Sequence, residues 1–172
     1  MIFQNSQLDI EAIPQSESIR FEQLLPAYKK LQIIQACIFS FNLSVAAIAF
    51  NYFGNFPKFV FPAAIGIIVA WLLLKIVLVL LGFPYKGYAI REHDVHYKTG
   101  YINRKVITVP VNRIQHMEIR QGVISRLLGL SKLKLFTAGD SSSDLSLRGI
   151  SPETAQQLKE MLTAKINKNG QN

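Results

Sequence analysis

Two long apolar stretches fill the first half of the chain, and a regular apolar–polar alternation fills most of the second. Phe59 to Phe83 holds 25 residues and a single charge, Lys75. A helix of that length rises about 37 Å, more than the roughly 30 Å of bilayer hydrocarbon, so the stretch predicts a membrane span. Leu31 to Phe50 is about 20 residues without a charge, though Gln32, Gln35, Ser40, Asn42 and Ser44 make it less apolar. Lys29 and Lys30 bound it sharply on one side, and the loop Asn51 to Lys58 returns the chain after eight residues. The pattern therefore predicts a helical hairpin over 31–83, with spans at 31–50 and 59–83.

After Pro84 the period changes. Tyr88 and Ile90, Val95 and Tyr97, Ile107, Val109 and Val111, Met117 and Ile119, Leu133 and Leu135, and Leu145 and Leu147 each skip one residue, as half-buried strands do. Turn residues separate them at Glu92-His93-Asp94, Ile102-Asn103-Arg104, Val111-Asn112-Arg113 and Ala138 to Ser143. Residues 84–166 thus read as an antiparallel β domain of six strands, with a short helix from Val123 to Leu128 closed by Gly129. Ser151 as N-cap, Pro152 and Glu153 start a C-terminal helix whose apolar face is Ala155, Leu158, Leu162 and Ile166. Residues 167–172 form a polar tail. In the segment 1–30, Phe21, Leu24 and Leu25 are spaced as one helical face before Pro26, suited either to the membrane surface or to docking on the polar domain.

Charge adds an orientation. Arg20, Lys29 and Lys30 precede the first span and Lys86 and Arg91 follow the second, against Lys58 alone between them. The positive-inside bias then places both termini in the cytoplasm. From Tyr85 onward there are 14 Lys or Arg against 7 Asp or Glu, so most of the formal charge of +8 lies on the polar domain. A basic domain beside a membrane suits anionic headgroups. No Lys/Arg stripe interleaved with aromatics is present, so nucleic acid is not an expected partner. The single cysteine, Cys37, excludes an intrachain disulfide and reads as a packed thiol in the first span. About 30 mostly polar residues precede the apolar stretches, so no removable leader is predicted.

Candidate chemistry is sparse. Lys75 is a charge inside a span, to be met by snorkelling toward the headgroups, by a polar contact with another span, or by a transport role. Asn42, with Ser40, Ser44, Ala46 and Ala47 near it, is a candidate intramembrane contact of the kind that associates helices. Lys132, Lys134 and Arg148 project from one face if Leu133, Leu135 and Leu147 face inward. Arg104, Lys105, Arg113 and Arg120 add to that charge, and the whole is a candidate surface for an anionic partner or headgroup or simply a solvated face. His93, His96 and His116 read as surface histidines rather than a metal site. Ser141 to Ser143 with Asp140 and Asp144 lack a general base, and no phosphate cradle or dinucleotide fingerprint occurs, so no catalytic residue, cofactor or metal is expected.

The run Gly100 to Gly139, GYINRKVITVPVNRIQHMEIRQGVISRLLGLSKLKLFTAG, resembles the bacterial pleckstrin-homology-like (PH-like) domain found in the small membrane proteins called YdbS-like. Pro110, Arg113-Ile114, Gln121 before SRLLGL, and the alternating KLKLFTAG carry the likeness. The resemblance implies a PH-like β-sandwich or barrel closed by a C-terminal helix, in a bacterial cytoplasmic membrane protein. It implies seven strands where the alternation shows six, so that either the seventh lies in a bend near Gly100 or the pattern is incomplete in this chain. It carries over no activity. The expected function is a non-enzymatic, membrane-anchored interaction module that binds a protein partner or anionic lipid. The alternative is an accessory subunit of a membrane assembly or transporter, or a homo-oligomer, contacting partners through the hairpin.

Overall fold

A computed structural model describes residues 19–54, 57, 59–137 and 145–169. The Asp140 to Asp144 cluster and Lys58 lie outside the described residues. Two long helices, α1 (Ala27–Phe53) and α2 (Val60–Gly82), pack against each other as an antiparallel pair. Each is long and apolar enough to cross a membrane, and only 6% of its most apolar window is buried within the protein. A buried core helix would be covered by its own fold; here Phe41, Phe53, Ile67 and Leu73 are all more than half exposed.

The polar half is a sandwich of two antiparallel sheets. One runs in the order β1 (Glu22–Gln23), β2 (Gly87–Ile90), β3 (Asp94–Thr99) and β4 (Lys105–Pro110). The other is β5 (Ile114–Arg120), β6 (Ser131–Thr137) and β7 (Leu145–Ile150), with the short helix α3 (Val123–Leu127) between β5 and β6. Leu133, Leu135, Leu145 and Leu147 are fully buried, and Val95, Val109 and Val111 meet them from the first sheet side. Helix α4 (Pro152–Asn169) closes the sandwich with Ala155 and Leu162, both fully buried. The Ser151 hydroxyl accepts the Thr154 backbone N–H at 3.0 Å, the expected N-cap. The helix passes Ile166 into the segment read as tail.

The seventh strand is not near Gly100. It is β1, which precedes the helices and pairs Glu22 with Tyr88 and Gln23 with Gly87. The helical hairpin is thus inserted between the first two strands of the sandwich. Phe21, Leu24 and Leu25 do not form a helical face: the chain is extended through β1, Leu24 is 2% exposed in the core, and α1 begins only at Ala27. Lys29 and Lys30 end the apolar stretch but not the helix, whose first turns carry Tyr28 and Leu31 into the same core as Phe83 at the foot of α2. Gly149 makes this junction possible. Its φ is +79°, and a Cβ there would lie 2.7 Å from Tyr28 Cγ, while Leu25 donates its N–H to the Gly149 carbonyl at 2.9 Å. Hairpin and sandwich therefore form one packed unit.

Candidate functional site

Alternation along β5, β6 and β7 drives the leucines inward and the charged residues onto the outer face of the second sheet. Register then aligns Arg120 with Lys132 and Lys132 with Arg148, one cation from each of three adjacent strands. The next row holds Glu118, Lys134 and Ser146. The first row forms the floor of a cavity of about 620 Å³. Tyr28, Leu31 and Gln35 of α1 make one wall, and Gln121, Gly122 and Ser125 at the start of α3 make the other.

The cavity is electrostatically positive. Burial holds the Lys132 ammonium below the usual lysine range, and the charges of Arg148, Arg120 and Lys134 push it further down, with Glu118 opposing them. Lys86 is lowered by burial and then by Arg148. Its Nζ donates to Gln32 Oε1 at 2.9 Å and lies 5.6 Å from the Tyr28 ring centroid. Arg120 is partly neutralised by Glu118, 2.6 Å away. Arg148 and Lys132 share no such carboxylate among the described ion pairs. Beside them a β-bulge separates Ser131 from Lys132, and the buried Ser131 hydroxyl, on the cavity lining, has no hydrogen-bond partner. Convergent cations with a spare hydroxyl are the chemistry of an oxyanion or phosphate site.

The predicted cations are not one surface. Lys132 and Arg148 line the cavity, whereas Lys134 stands outside it with Nζ 3.9 Å from the Phe136 ring centroid. Arg104, in the β3–β4 turn, and Lys105, at the start of β4, belong to the other sheet, with Arg104 stacked 5.0 Å from the Tyr85 ring centroid. Arg120 was part of the predicted charge. Tyr28, Gln35 and Ser131 carried no sequence signal, because only the fold brings them to the row.

In the hairpin, Asn42 is exposed and donates to its own helix at the Ile38 carbonyl, 2.8 Å away. Lys75 is exposed along a groove with Gln32 and Gln35, and its Nζ lies 5.5 Å from the Trp71 ring centroid. Cys37 is exposed rather than packed, since its helical position turns it off the α1–α2 contact. His96 also departs from the surface reading. It is 6% exposed, with Nδ1 2.8 Å from Thr108 Oγ1 and Nε2 2.9 Å from Asp94 Oδ1, because cross-strand pairing puts Thr108 directly opposite.

The sequence profile of the bacterial PH domain family matches residues 33–166. The chain belongs to that family. The match covers α2 and all of α1 but its first turns, as well as most of the sandwich, so the inserted hairpin is largely within the matched region of this bacterial PH domain. It begins after β1, Tyr28 and Leu31, which complete the sheet and the cavity wall. Searches of curated proteins and of solved structures find no match.

Proposed function

We propose that this bacterial PH domain protein is a non-enzymatic module anchored by its hairpin in the bacterial inner membrane, with both termini cytoplasmic, and that its cavity holds the phosphate of an anionic lipid headgroup. The observation that carries the reading is the place of the cation row. Lys132 and Arg148 lie beside the first two turns of α1, where a helix entering the bilayer passes the headgroup layer. Each basic residue near an anionic leaflet contributes about 1 kcal/mol, and convergent placement adds hydrogen bonding to the phosphate oxygens. The uncovered apolar surface of α1 and α2 supports the anchoring, since patches of that extent are not left in water.

Purification of the full chain from its own membranes in mild detergent, with co-purifying lipids and proteins identified, tests this. Anionic phospholipid retained by the native chain and lost from the Lys132→Gln/Arg148→Gln double variant is the expected result. Equal lipid retention by both would remove the site. A second reading has its own observation, the exposed groove of Lys75, Gln32 and Gln35 on the hairpin. It makes the chain an accessory subunit, and it predicts a stoichiometric membrane-protein partner that Lys75→Leu releases.

A further inference from the structure

The end of the sandwich from which the helices emerge carries two unpartnered apolar tips. On α3, Ile124 and Leu128 pack against the core, which turns Val123 and Leu127 outward at 78% and 82% exposure. On the β3–β4 turn, Ile102 is 80% exposed. Both tips sit beside a helix. Ser125 and Gly122 of the α3 region share the cavity with Leu31 and Gln35 of α1. Tyr101 packs at the foot of α2, its Cβ 3.3 Å from where a Cβ on Gly82 would be, with its ring 5.2 Å from Tyr85. Arg126 flanks one tip and Arg104 the other, and rings beside basic residues favour the interfacial layer.

We infer that Val123 and Leu127 on one side and Ile102 on the other enter the lipid surface, seating the domain at two points around the hairpin. The occupant of these faces is the bilayer itself, because each tip lies beside the foot of a helix whose apolar surface is uncovered. Seated this way, the cavity between α1 and α3 opens sideways into the headgroup layer, and its ligand arrives by diffusion within the leaflet. The inference rests on the anchoring proposed above but not on the phosphate site.

The test uses the full chain in a Cys37→Ala background, reconstituted in zwitterionic vesicles without anionic lipid. An environment-sensitive fluorophore is placed singly at Ile102→Cys, Leu127→Cys, Val77→Cys on α2, or Glu92→Cys in the β2–β3 turn at the far end of the domain. Lipids carrying a spin label just below the headgroup supply the quencher. The expected result is quenching at Ile102 and Leu127 and none at Glu92. Quenching at Val77 with none at Ile102 or Leu127, or at one tip only, overturns the seating while leaving the anchor intact. No quenching at Val77 overturns the anchor and the seating with it. Loss of the phosphate site changes none of these signals.

Discussion

Replacing Arg148 with Gln isolates the contribution of the cavity. A hydrogen bond to a charged group is worth about 1.5–3 kcal/mol. Arg148 is exposed, which would place its bonds to the proposed phosphate at the low end of that range. Its removal also relieves Lys132, whose ammonium is held down partly by the Arg148 charge, so the remaining lysine regains some affinity. The expected loss is about 1.4 kcal/mol, roughly tenfold in dissociation constant. Titration of the detergent-solubilised full chain with phosphatidylglycerol, followed by native mass spectrometry, reads it directly. Lys105→Gln is the matched control, since it deletes the same charge from the exposed start of β4, outside the cavity. If Lys105→Gln weakens binding as much as Arg148→Gln, the lipid senses only net charge, and the argument from convergent cations fails.

Other outcomes follow from the same geometry. Anion binding favours the charged form of Lys132, whose pKa is depressed, so affinity is full below that pKa and declines as pH rises through it; in Lys132→Arg the decline is pushed to higher pH, as a pH series of the same titration shows. Gly149→Ala forces a side chain into a left-handed backbone and against Tyr28, and thermal melting in detergent should record a loss of about 2–4 kcal/mol. Leu24→Ala removes a buried side chain that ties β1 to the core, with a cost of about 2–5 kcal/mol in the same assay. His96→Leu leaves Asp94 and Thr108 without their shared partner and should destabilise by about 1–3 kcal/mol, whereas wild-type stability would mean that water serves them equally well.

Much of the architecture was legible because it rests on local periodicity. A run of apolar residues with one lysine can only be satisfied as a helix in an apolar medium, and residues that alternate over four to seven positions can only bury one face as strands. Six strands, α3, α4 and its cap, and both long helices were readable in this way, as was the common face of Lys132, Lys134 and Arg148. Strand β1 was not, because two residues carry no period, and Glu22 and Gln23 pair with β2 across the whole hairpin that separates them in the chain. Buried His96 escaped for a similar reason, since its partner Thr108 lies on the neighbouring strand. The cavity is the clearest case. Tyr28, Arg120, Lys132 and Arg148 come from four separate elements, and none is unusual where it stands in the chain. Side-chain period and chain polarity act between neighbours and are written in the sequence, whereas the convergence of three cations and a hydroxyl beside a helix depends on sheet register and on Tyr28 packing against Gly149, which exist only once the sandwich has closed.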